Sequence, residues 1–221
     1  MALVLPIASE STLLGSGVVI EISNGHFFIA TALHLFGECR QIRVGIPPHN
    51  GDCSAVQTYP LNQARAYEAK LVASNPLADV GIIAFKEAGT APISRLAGPT
   101  EIPAVGRSIV ALGYPFAPIG SLLETWAPGT VIARTRRMIT PKSGIDEFVI
   151  SNQSHPGSSG SAVLGREDGI LYGILRGSLA PPEMLRVGNI PIATDTSVTF
   201  VTAAHYVTEL LPFARAAVAQ T

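Results

Sequence analysis

The chain has 221 residues, of which 47% are hydrophobic and 14% charged, against a charged share of about 25% in ordinary soluble domains, so a disordered tail is excluded. Fifteen Lys and Arg against sixteen Asp and Glu leave a net charge of −1; no broad positive field exists to hold a phosphate backbone, and nucleic acid is not an expected partner. No stretch approaches the roughly 18 uninterrupted apolar residues of a membrane span, so no membrane partner is expected.

The chain begins with an apolar run, Met1 to Ala8, which Ser9, Glu10 and Ser11 stop; no Lys or Arg occurs before Arg40. A secretory leader needs a positive start and a longer apolar stretch, so the expectation is a cytoplasmic protein. Eleven short apolar runs follow, at residues 17–22, 26–30, 41–46, 69–74, 80–85, 108–113, 129–134, 147–151, 160–164, 170–176 and 196–201, each bounded by Gly, Pro, Asn or Ser. Runs punctuated in this way read as buried strands joined by turns, and their even spacing predicts an all-β barrel or sandwich. Gly89, Pro92, Gly98, Pro99 and Pro103 cluster between two strand-rich halves. They divide the chain into expected lobes at 1–100 and 101–221, with any site in the cleft between them.

One helix is predicted after Thr202, where Ala203, Tyr206, Val207, Leu210 and Leu211 share a face at spacings of three and four. Pro212 is expected to kink or restart it. Cys39 and Cys53 form no CxxC pair; free thiols are the plain reading, and a disulfide between them stays open. The five His and two Cys show no metal-ligand spacing, so neither metal nor cofactor is expected.

Three residues carry candidate chemistry. Ser159 sits in Gly157-Ser158-Ser159-Gly160-Ser161, directly before an apolar strand. A serine hydroxyl needs a base to take its proton and amide donors for the oxyanion that follows. Gly157 lets the backbone turn its own N–H and that of Ser159 into one hole, and Gly160 clears space for substrate. Taken alone, the same stretch also reads as a flexible turn. His34, in Thr31-Ala32-Leu33-His34, follows an apolar strand and offers an imidazole base near neutral pH. Its rival, His205 in Thr202-Ala203-Ala204-His205, falls in the predicted helix. Asp79 stands at the mouth of the apolar strand 80–85. A carboxylate there pays for desolvation unless a partner bonds it, and a histidine N–H would supply that bond and fix the tautomer.

Gly15-Ser16-Gly17-Val18-Val19-Ile20, Thr31-Ala32-Leu33-His34, Ala78-Asp79-Val80-Gly81 and Gly157-Ser158-Ser159-Gly160-Ser161 follow one another in the order seen in trypsin-like serine proteases, and the chain resembles the bacterial HtrA (Deg) type most. The likeness continues through Gly113-Tyr114-Pro115-Phe116, Gly173-Ile174 and the terminal Phe200-Val201-Thr202-Ala203. It implies two antiparallel six-stranded β-barrels with a C-terminal helix, and hydrolysis of peptide bonds in protein or peptide substrates. By position, Ser159 is the nucleophile, His34 the base and Asp79 its orienter, with Gly157 and Ser159 as oxyanion donors. Ser158 replaces the Asp that secreted trypsins use to anchor a new N-terminus. No PDZ-like segment follows Val201 in the twenty residues left, so control through such a domain is not expected in this chain.

Gln153, Ser154 and His155 are expected to form one wall of the primary pocket, and Arg176, Gly177 and Ser178 the strand that pairs with substrate. Gln153 lacks the carboxylate that a Lys or Arg preference needs. Arg176 faces either a substrate carboxylate or Glu183 or Asp195 on neighbouring loops. Arg134, Arg136, Arg137 and Lys142 read as a solvated hairpin. The alternative to a constitutive protease is a latent or inactive fold that recruits a partner, or that a partner activates.

Overall fold

The structure, a computed structural model, describes residues 3–9, 12–37, 41–46, 65–116, 123–178, 185–187, 190–192 and 197–220. Cys39, Cys53, Glu183 and Asp195 lie outside them. Six strands, β1 (Val4–Ser9), β2 (Thr12–Ser23), β3 (His26–Ala32), β4 (Ile42–Ile46), β5 (Arg65–Asn75) and β6 (Val80–Lys86), close into a barrel in the order β1-β2-β3-β6-β5-β4. A second barrel closes as β10-β11-β14-β9-β8-β7 from β7 (Ser108–Gly113), β8 (Thr125–Thr140), β9 (Ser143–Ile150), β10 (Ala162–Gly165), β11 (Leu171–Ser178) and β14 (Thr199–Ala203). The hairpin β12 (Leu185–Val187) and β13 (Ile190–Ile192) stands apart as a two-stranded sheet. All ladders of the two barrels are antiparallel, as expected for a chain of short strands linked by tight turns.

The apolar runs have a simple cause: the central strands are buried on both faces. Along β3, Phe27 and Ile29 point into the first barrel, while Phe28 and Ala30 point into the seam between barrels. Along β7, Ile109 and Ala111 fill the second barrel and Val110 and Leu112 the seam. Period-two alternation is therefore satisfied by two cores instead of one core and solvent. The seam core also takes Val4 from β1, a strand that the sequence reading passed over because Met1 to Ala8 was weighed only as a leader.

The helix α1 (His205–Ala219) runs unbroken past Pro212, so it does not restart there as the sequence allowed. Proline cannot donate to the carbonyl of Thr208, but both residues lie on the exposed face, where solvent can reach that oxygen. The opposite face packs Val207, Leu211 and Ala214 into the seam core. Arg215 then donates to Glu21 of β2 at 2.8 Å, so α1 straps the second barrel to the first. That hydrogen bond holds the Glu21 carboxyl below its ordinary value.

Because Phe28 is 1% exposed in the seam, Phe28→Ala is expected to lower unfolding stability by about 3–5 kcal/mol. Denaturant unfolding followed by both tryptophan fluorescence and circular dichroism should show one shifted, coincident transition. Separate transitions would mean that the barrels unfold independently.

Candidate active site

Each candidate residue is placed by backbone geometry before its side chain acts. After β3 the chain makes a single 3-10 turn, Leu33–Leu35, whose Leu33 N–H donates to the Asp79 carbonyl at 3.1 Å. Asp79 itself has φ +56°, in the left-handed region that Asp tolerates better than most residues. Asn75 Oδ1 accepts the Ala78 N–H at 3.0 Å and closes the turn leading into it. With the two turns locked together, the carboxylate grips His34 twice. Oδ1 accepts the His34 backbone N–H at 2.8 Å and Oδ2 meets Nδ1 at 2.7 Å. A carboxylate only accepts, so Nδ1 carries the proton and Nε2 presents a lone pair. Nε2 lies 3.0 Å from Ser159 Oγ.

Ser159 follows a β-turn in which Ser158 N–H donates to the His155 carbonyl at 2.9 Å, with Pro156 and Gly157 in the middle. Gly157 has φ +97°. A type II turn requires a positive φ at its third residue and commonly has proline second, so Pro156-Gly157 suits this turn. The amides of Ser158, Gly160 and Ser161 all donate within the protein. Among the described residues, those of Gly157 and Ser159 do not, which leaves two neighbouring donors available beside the hydroxyl.

Ser16, in the first barrel and fully buried, ties this loop down. Its N–H donates to Ser159 O at 2.9 Å and its hydroxyl to Gly157 O at 3.1 Å. The hydroxyl accepts the Tyr114 N–H at 2.8 Å, and its carbonyl accepts the Thr31 hydroxyl at 2.6 Å. Gly160 makes the close approach feasible: a Cβ there would sit 1.9 Å from Ser16 O, at φ +84°. On the acid side, Thr202 donates to Ala78 O at 3.0 Å and Arg137 to Leu77 O at 2.6 Å. The sequence reading quoted Gly15-Ser16-Gly17 without giving Ser16 a role, and took Arg137 for a solvated hairpin charge. Only the pairing of two distant segments reveals either one.

The structure thus brings His34, Asp79, Ser159 and Gly157 together. Arg176, Gly177 and Ser178 line a cleft beside His34 and Asp79, and Arg176 O lies 3.1 Å from Ser159 Oγ. Gln153 and His155 instead line a cavity of about 230 Å³ with Pro115, Phe116, Ser158 and Leu175, and the His155 ring lies 5.5 Å from that of Phe116. Ser154 is half-buried and is not among its lining residues. His205 is buried against Tyr206 at the start of α1, with ring centroids 4.1 Å apart.

A model of the trypsin-like peptidase domain matches residues 15–174. Over 169 residues, 76% of this chain, the sequence is 28% identical to the periplasmic pH-dependent serine endoprotease DegQ of Escherichia coli. The periplasmic serine endoprotease DegP of Salmonella typhimurium matches at the same identity. The chain spans about a third of the length of these relatives. Among solved structures, the active form of the Rv3671c protease of M. tuberculosis superposes with TM-score 0.66 at 22% identity, covering 95% of this chain and 79% of that one. The HtrA-type protease AlgW with a tripeptide reaches 0.68 at 20% identity, covering 95% and 59%. These likenesses show a chymotrypsin-like fold. The cytoplasmic expectation is corrected: both curated relatives are periplasmic. It rested on the lack of a basic leader, and a leader is removed from an exported protein, so the folded unit keeps no record of its compartment.

Ser16→Ala removes the hydroxyl that pairs with the Tyr114 N–H and the Gly157 carbonyl in a buried setting, and is expected to cost about 1–3 kcal/mol of stability. Amide hydrogen exchange at Ser158, Gly160 and Ser161 should quicken well beyond that at β6. Unchanged exchange in this loop would show that Ser16 does not hold it.

Proposed function

The chain belongs to the trypsin-like peptidase domain family, and from that premise we propose that it is a serine endopeptidase acting through Ser159, His34 and Asp79. The observation that carries the reading is the unbroken chain from Asp79 Oδ2 through His34 to Ser159 Oγ, at 2.7 and 3.0 Å, ending beside two amides with no partner among the described residues. Ser159 Oγ attacks the carbonyl carbon of a peptide bond while His34 Nε2 takes its proton. Asp79 stabilises the resulting imidazolium and keeps the ring oriented. The carbonyl oxygen, now negative, turns to the amides of Gly157 and Ser159. His34 returns the proton to the departing amine, and a water molecule, activated by the same nitrogen, then hydrolyses the ester on Ser159.

The hydroxyl proton of Ser159 has two acceptors within reach, His34 Nε2 and Arg176 O. A substrate strand that pairs with residues 176–178 donates its own N–H to that carbonyl and leaves the proton to His34. Substrate binding thereby favours the reactive arrangement. The turn geometry also speaks for a competent loop over a latent one: a collapsed loop would need Gly157 to leave its positive φ and Ser16 to lose its grip. No carboxylate at Ser158 is required, since its hydroxyl is already used by the His155 N–H at 3.0 Å. The substrates we propose are proteins and peptides, with Gln153 and His155 forming a wall of the primary pocket.

A fluorophosphonate probe is expected to label Ser159 alone, as peptide mapping of the adduct would reveal. His34→Ala should slow labelling and lower peptide turnover by on the order of a millionfold. Adducts at Ser158 or Ser161, or labelling undiminished in the variant, would overturn the assignment. In a proteome-derived peptide library, products should end in small, apolar or amide side chains; a majority ending in Lys or Arg would contradict the role given to Gln153.

A further inference from the structure

The cleft beside the triad holds a cation for which the hydrolytic steps have no use. Arg176 lies on β11 and lines, with His34, Asp79, Gly177 and Ser178, a cleft of about 370 Å³. Its side chain is 31% exposed, and among the described residues its guanidinium makes no hydrogen bond. Among the described residues the nearest acid is Glu147, 2% exposed, at 3.7 Å from Nε, too far for a hydrogen bond. Glu147 is already taken by Arg137, whose Nε donates to it at 2.9 Å and whose Nη2 donates to Leu77 O. One buried carboxylate is thus shared by two guanidinium groups, and the short bond goes to Arg137. Asp79 faces the same cleft, but both its oxygens are spent on His34, and it makes no ion pair with Arg176. Arg176 Cζ also lies over the Phe200 ring, 5.6 Å from its centroid.

Side chains of an extended peptide point alternately to opposite faces. With the scissile carbonyl at Ser159 and the backbone along residues 176–178, the residue before the cleaved bond turns toward Gln153 and His155. The next residue upstream turns the other way, into the cleft between His34 and Arg176. We infer that this cleft is a subsite for an acidic side chain at the second residue before the cleaved bond, its carboxylate taking the Arg176 donors that no described residue accepts. A planar guanidinium offers the paired N–H groups that suit a carboxylate. This selectivity rests on the endopeptidase reading above.

Two fluorogenic peptides that differ only in Glu or Gln at that residue test it. The Glu peptide is expected to have a kcat/KM about tenfold higher, between the small effect of an exposed ion pair and the large one of a buried pair. The ratio should shrink as salt rises and fall to near one in Arg176→Gln. In parallel, Ser159→Ala protein binds the same two peptides, labelled for fluorescence anisotropy, and should favour Glu by a similar ratio. Equal kcat/KM for both peptides in the wild type, or a ratio unmoved by Arg176→Gln, overturns the subsite and leaves the endopeptidase reading standing. Selective binding of the Glu peptide by Ser159→Ala protein, with neither peptide hydrolysed by the wild type, keeps the subsite and overturns the endopeptidase reading. Neither hydrolysis nor selective binding overturns both.

Discussion

Ser16 is the point at which two barrels become one site. A fully buried residue of the first barrel meets the backbone of Gly157, Ser159 and Tyr114 in the second. Buried polar groups without partners are costly, so the seam closes well in one register only. That register sets the distance between His34, carried by one barrel, and Ser159, carried by the other, the base and nucleophile we propose. Thr202 and Arg137 do the same on the acid side, gripping the carbonyls of Ala78 and Leu77 just before Asp79. The left-handed backbone of Asp79 is held from several directions at once, as a conformation that costs energy in isolation must be.

Around this polar seam lies an apolar one. Phe28, Ile82, Leu112 and Leu164 reach into the space between the barrels, and α1 closes it with Val207 and Leu211. Dense packing resists small displacements, which keeps the hydrogen bonds of the seam at length. The arrangement divides the labour: apolar contact supplies the association, and a few buried polar groups decide how the two surfaces are aligned.

Much of this was readable in the sequence. The strand runs stand out because residues such as Phe27 and Phe28 are both buried, one in each core, so no polar alternation dilutes them. The three candidate catalytic side chains could be singled out from local chemistry, but the stretch around Ser159 also reads as a flexible turn, and only the resemblance of the motif order gives the three their roles. What stayed hidden depends on contacts far apart in the chain. The roles of Ser16 and Arg137 exist only once residues 141 and 60 positions away are brought alongside. The course of α1 through Pro212 was missed because propensity does not know which face of a helix will meet water. The strand β1 was missed because an apolar N-terminal run was weighed as a leader and never as the barrel strand it forms.

In the proposed mechanism the fold itself sets the base and the amides of Gly157 and Ser159, which have no partner among the described residues, around one reacting carbon, with no loop movement required. A crystal structure of the protein with a peptide boronate bound to Ser159 tests this most directly, since the tetrahedral boron mimics that carbon. The account predicts one boronate oxygen at about 2.7–3.1 Å from the amide nitrogens of both Gly157 and Ser159, the distance such donors require. It also predicts the Ser16 bonds unchanged and the remaining boronate oxygen directed toward His34. An adduct whose oxygens avoid both amides, with the Pro156 carbonyl occupying the space between them, would contradict it.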